Sequence, residues 1–209
     1  MYKNIHYLLA TGAPVTYSLT FVILIVSSIA MVKPSIFSRL ILHPYGIVHH
    51  KEYYRLVTSD LVHIDWLHLA LNEAALYVCC ANLEEVLRSR SAIGSWQFLL
   101  IYLCSYFSGV IFSTIRHRND FGFSSAGASG SIMGCMFSFM MLRPKSIAFY
   151  LPLIGGVQCR YEAFFYFLVL VWYKKKNNKG IANHELHLFG AIGGALATVL
   201  LFPGILGVG

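Results

Sequence analysis

Charge is scarce in this chain, and acidic charge scarcest. Its 209 residues hold 16 Lys and Arg but only nine Asp and Glu, so charged residues are 12% of the whole. Soluble domains carry about 25%, and a shortfall this large argues against an ordinary soluble domain. Cysteines number five (Cys79, Cys80, Cys104, Cys135 and Cys159) and lie in or beside apolar runs. An odd count in that setting argues against a disulfide framework; they read as small packing residues. No internal repeat is visible, which weighs against an inverted-repeat transporter. Nor is any basic stripe interleaved with exposed aromatics, so nucleic acid is not an expected partner.

What the chain has instead is apolar length. Hydrophobic residues make 57% of it, and no charge interrupts Asn4 to Val32, Ser91 to Ile115, Phe121 to Leu142 or Leu186 to Gly209. A spanning helix needs about 20 mostly apolar residues. The runs predict an all-α, polytopic membrane protein of six spans, roughly Pro14–Val32, His63–Leu83, Ser91–Ile115, Ser125–Leu142, Tyr161–Tyr173 and Asn183–Phe202. The first run has a thin n-region and reaches Lys33-Pro34 without a small-x-small cleavage site, so it reads as a retained helix and not a signal peptide. A net charge of +7 suits contact with anionic lipid. Residues 1–209 are expected to form a single membrane domain.

Between the spans, the segment from Lys33 to Val62 is long and carries His43, Pro44, Tyr45, Tyr53 and Tyr54. Loops of that length are usually functional or packed. Arg143-Pro144-Lys145 stops the fourth span, and Ile147–Val157, with Pro152 and Gly155-Gly156, reads as interfacial. The lysine-rich stretch from Lys174 to Gly180 reads as a solvated loop.

Chemistry-bearing groups stand inside these apolar runs, where polarity is costly and therefore a sign of function. Gly127-Ala128-Ser129-Gly130 opens the fourth span. Gly130 and Gly134 are four apart, as close helix packing requires. In the last span His187, Gly190 and Gly194 share one face, so a neighbouring backbone can come close and bring imidazole to serine. That would be the nucleophile–base pair of a hydrolase. His184 lies one turn earlier and is the weaker base. On the second span His68 and Asn72 are four apart on one face and are candidate donors to a developing oxyanion; the alternative is helix–helix glue. His184-Glu185-Leu186-His187 lacks the H-E-x-x-H spacing of a zinc helix, so no metal is expected.

Taken in order, His63, His68-Leu-Ala-Leu-Asn72, Glu84, Gly127-Ala-Ser-Gly-Ser-Ile-Met-Gly134 and His187-Leu-Phe-Gly190-Ala-Ile-Gly-Gly194 resemble the rhomboid intramembrane serine proteases. The resemblance covers a core from about residue 54 to 202. It implies a six-helix rhomboid-like bundle with a Ser–His dyad, Ser129 as nucleophile and His187 as base. The Ser129 N–H, Asn72 and His68 would stabilise the oxyanion. The implied reaction is hydrolysis of peptide bonds in or near the transmembrane segments of client proteins, without a cofactor. Partners would be those clients and membrane lipids, and the implied place is a multi-pass protein of the cell (inner) membrane. The polar stretch Ser113–Ser125 would admit water.

Four features depart from the pattern. Tyr54-Arg55 replaces the usual Trp-Arg, and Met133 stands where an aromatic packs on the catalytic imidazole. Glu73 follows Asn72 where an apolar residue is usual; it is expected to bond a neighbouring helix, with a tyrosine or serine of the first or third span as partner. Both termini would be cytosolic, yet only six of the 16 Lys and Arg fall on that side, against the positive-inside rule. The rival functions are a catalytically silent rhomboid-fold protein that binds or escorts clients, and an unrelated channel or transporter.

Overall fold

The computed structural model describes residues 12–151, 155–161, 164, 168 and 184–206. Helix α1 (Pro14–Val32) starts on a proline, whose missing N–H costs nothing at a first helical position. It stops before Pro34, where α2 (Pro34–Leu40) begins. Then come α3 (Pro44–His50), α4 (Arg55–Thr58) and a 3₁₀ turn at Ser59–Leu61. These short elements fill the long first connection. His43 caps α3, its ring accepting the Gly46 N–H at 3.2 Å. Arg55 is buried and ties the connection together. Its Nη1 donates to the Ser38 and Ile41 carbonyls at 2.8 and 2.9 Å, and its Nε to Glu52 at 2.7 Å. That guanidinium holds the Glu52 carboxyl below its ordinary pKa.

Helix α5 (Trp66–Ala75) is capped by Asp65, whose side chain accepts the His68 N–H at 2.7 Å. A π-helical turn at Leu76–Cys80 carries it into α6 (Ala81–Arg88), so helix continues beyond the expected end at Leu83. Helix α7 (Gly94–Arg116) follows the predicted third span. The fourth differs: Ser125 is not helical but pairs with Leu42 in an isolated bridge, and α8 runs Ser129–Leu142. Helix α9 (His184–Leu201) closes the bundle, followed by a 3₁₀ turn at Pro203–Leu206.

The described residues are mostly helical, and two points differ from the sequence reading. Ile147–Leu151 (β1) and Gly155–Gln158 (β2) pair antiparallel as a hairpin. Ile147, Phe149 and Tyr150 favour extended backbone, and Arg143-Pro144 has already ended the helix. The polar entrance also starts later than expected, because Ser113–Arg116 complete the last turn of α7 and the open loop begins after them. The expected fifth span, Tyr161–Tyr173, and the lysine-rich loop after it lie almost wholly outside the described residues.

Among the described helices α1, α7 and α9 are long and apolar enough to cross a membrane. Their outward faces are greasy: Phe21 is 64% and Leu200 82% exposed, surfaces suited to hydrocarbon more than to water. Helices α7, α8 and α9 pack mutually, with Phe98, Ile101, Ile132, Cys135 and Ala197 in one core.

Glu84 joins three helices. Fully buried on α6, it accepts from the Val15 and Thr16 N–H groups at 3.1 and 2.8 Å, from Thr16 Oγ1 at 2.8 Å and from Ser95 Oγ on α7 at 2.6 Å. The carboxyl thus satisfies the open N–H groups at the start of α1. Glu84→Ala should cost on the order of 3 kcal/mol by orphaning those donors. Thermal unfolding in detergent reads this directly, and an unchanged midpoint would refute the clamp.

Candidate active site

The site is built where α8 and α9 touch backbone to backbone. A Cβ on Gly190 would run into the Gly130 carbonyl, and one on Gly194 into the backbone of Gly134. Both members of each pair advance by four residues, so the two helices run side by side in the same direction. Ser138 Oγ bridges them, donating to its own helix at Gly134 and to the Gly194 carbonyl at 3.1 Å. Because both helices start at the same end, Ser129 (first residue of α8) and His187 (first turn of α9) face each other. Ser129 Oγ lies 2.7 Å from His187 Nε2. Among the described residues no carboxylate hydrogen-bonds the His187 ring. His184 stands edge-on to it with ring centroids 6.3 Å apart.

Local backbone presents the serine. Gly127 has φ 116°, a left-handed conformation that residues with a Cβ resist. A Cβ there would also meet the His68 ring at 2.8 Å. The Gly127 N–H donates to the Ser59 carbonyl at 3.0 Å, and Ser125 pairs both ways with Leu42. The first connection therefore forms the wall behind the turn that enters α8.

The structure places the other expected residues as follows. His68 lines this wall, with its ring edge-to-face on His63 at 4.9 Å. Asn72 is buried one turn further along α5, and its Nδ2 donates to the His68 carbonyl at 2.8 Å. An amide nitrogen has two N–H groups, so one remains for another acceptor, while Oδ1 is buried without a hydrogen-bond partner among the described residues. Met133 packs with Phe137, Leu188 and Ala191. Glu73 departs from expectation. Neither of its oxygens finds a hydrogen-bond partner among the described residues, and the hydroxyl beside it is that of Thr20 on α1, not a tyrosine or serine.

Three groups escaped sequence reasoning or received no role there. His63 is fully buried. Its Nε2 accepts the Ala128 N–H at 3.4 Å, and its Nδ1 lies 2.9 Å from Ser27 Oγ. Ser27 in turn donates to the Leu61 carbonyl at 3.0 Å, linking the entrance of α8 to α1. Glu185, two residues before His187, holds Arg116 Nε at 2.8 Å and His117 Nε2 at 3.4 Å, tying the end of α7 to the start of α9. Asp60, buried in the 3₁₀ turn, accepts from Tyr102 and Ser131. Only the rarity of acids in an apolar chain could have pointed to Asp60 and Glu185; pairings this distant leave no local signal.

A helical membrane bundle with a serine and a histidine in contact at the parallel ends of two glycine-packed helices defines the class. Residues 50–204 match the family model described as Rhomboid domain, and the chain belongs to the rhomboid family. It is 35% identical over 104 residues to Rhomboid protease GluP of Bacillus subtilis (strain 168), covering 50% of this chain and 18% of that protein. It is 29% identical over 150 residues to Putative rhomboid protease YdcA of the same organism, covering 71% of this chain and 67% of that protein. The chain thus spans less than a fifth of the first relative's length. It is an integral membrane protein, and its bacterial relatives fit a place in the cell membrane.

Gly190→Val should lower the melting midpoint in detergent by prising α9 from α8, since the added Cβ would meet the Gly130 backbone. A wild-type midpoint would show that the helices do not depend on this approach.

Proposed function

We propose that the chain is an intramembrane serine endopeptidase that cleaves peptide bonds in or near client transmembrane segments with a Ser129–His187 dyad. The observation that carries this reading is the 2.7 Å contact between Ser129 Oγ and His187 Nε2, at the start of two helices whose dipoles favour negative charge there. Kinship with proteins named as proteases supports the same chemistry.

The steps follow from the geometry. His187 Nε2 takes the Ser129 hydroxyl proton as Oγ attacks the scissile carbonyl. The oxyanion is met by the Ser129 N–H, the free N–H of Asn72 and His68. His187 then protonates the leaving amine, and a water, activated by the same nitrogen, releases the acyl group from Ser129. No cofactor enters.

Water must reach this depth. Helix α8 has 14 residues, about 21 Å at 1.5 Å per residue, against a hydrocarbon core of about 30 Å. A helix that short, enclosed by others, starts below the bilayer surface. The exposed loop after Arg116 is the path by which water arrives, and irregular backbone at depth is tolerable where it lines such a cavity. Six spans in one domain complete this reading: α1, the run from α5 through α6, α7, α8, the segment near 161–173 and α9.

Ser129→Ala and His187→Ala should each abolish both labelling by a fluorophosphonate probe and cleavage of a reporter transmembrane substrate. The double variant should be scarcely worse, because the two act as a unit. Asn72→Ala should lower turnover about 10²–10³-fold while labelling stays detectable. Substantial cleavage by Ser129→Ala would sink the mechanism, and normal cleavage by Asn72→Ala would return that residue to helix packing. A catalytically silent protein would show neither labelling nor cleavage in the wild type.

A further inference from the structure

Asp60 lies in the 3₁₀ turn Ser59–Leu61, only 5% exposed, with no cation paired to it among the described residues. Its two oxygens hold different helices. Oδ1 accepts from Ser131 Oγ on α8 at 2.7 Å, and Oδ2 from Tyr102 Oη on α7 at 2.6 Å. The residue before it also faces both ways: Ser59 Oγ meets Tyr106 Oη at 2.9 Å, and the Ser59 carbonyl takes the Gly127 N–H at 3.0 Å.

The position of Ser131 is what matters. It is fully buried and follows Ser129 by two residues, about 200° around the helix. Asp60 therefore grips the back of the first turn of α8 while His187 meets Ser129 at the front. The hydrogen bonds from the Gly127 and Ala128 N–H groups hold the chain just before the turn and not its rear face. Among the described residues no side chain caps the start of α8, and the chain enters it through a glycine at φ 116°. A hydrogen bond to a carboxyl is directional, so it opposes rotation of the turn.

We propose that Asp60 is a positioning residue for proteolysis: through Ser131 it sets the rotation of the first turn of α8 and so the line from Ser129 Oγ to His187 Nε2. This rests on the reading of Ser129 as nucleophile. A small angular error at a nucleophile lowers turnover without weakening substrate binding, and that split separates positioning from mere support.

Ser131→Ala and Tyr102→Phe each delete one hydrogen bond to the same carboxyl, so they form a matched pair. Turnover and KM on a reporter transmembrane substrate in liposomes, fluorophosphonate labelling rate and melting midpoint are measured for both. Ser131→Ala should lower kcat and labelling rate together by about tenfold, with KM within about twofold. Tyr102→Phe should lower the midpoint by a similar amount yet hold kcat within about twofold. Asp60→Asn, which keeps an acceptor for Ser131, should retain kcat within about threefold. A wild-type labelling rate in Ser131→Ala overturns the proposal. So does a loss of kcat that tracks the lost midpoint equally in both members of the pair. If Ser129→Ala itself still cleaves, the nucleophile reading has failed, and the positioning role falls with it.

Discussion

Close backbone contact between α8 and α9 is the constraint on which the rest depends. Lipid tails are as apolar as leucine, so no hydrophobic force pulls two helices together in hydrocarbon, and packing depth must do it. Gly130 with Gly190, and Gly134 with Gly194, remove every atom that would hold the axes apart. Because the register advances equally on both helices, their N-terminal ends coincide. Oγ and imidazole are thereby brought to the same end of the bundle, and two helix dipoles converge on the place where an oxyanion would form.

Around that contact the buried polar groups act as fasteners between elements far apart in sequence. Glu84 satisfies the start of α1 from α6, and His63 joins the turn before Ser129 to α1 through Ser27. Arg55 satisfies carbonyls of the first connection that have no helix to serve them. In a medium without water each such group would be costly if left unpaired. The first connection is consequently a wall of the site, fixed at its carbonyls and its carboxyl, and the glycine-rich turn leans on it.

Much of this was legible in the chain. The apolar runs located α1, α7 and α9 to within a few residues, and the spacing of His187, Gly190 and Gly194 predicted the face that meets α8. Proline and glycine after Arg143 marked an end of helix but did not reveal the hairpin, whose pairing depends on cross-strand contacts. Ser125 is drawn out of helix by Leu42, 83 residues earlier, which no local pattern encodes. Asp60 and Ser131 are 71 residues apart and become partners only once α7 and α8 have packed. Glu73 is the opposite case. Its oddness was visible, but helical periodicity alone could not name its neighbours, and among the described residues no tyrosine or serine bonds it.

The central claim is that Ser129 is the atom that attacks. The direct measurement is peptide mapping by mass spectrometry after the protein, in detergent, has been inactivated with diisopropyl fluorophosphate. The account predicts one phosphoryl adduct, on the peptide containing Ser129, whose appearance matches the loss of cleavage. Inactivation with the adduct on another serine, or with no adduct at all, would contradict it.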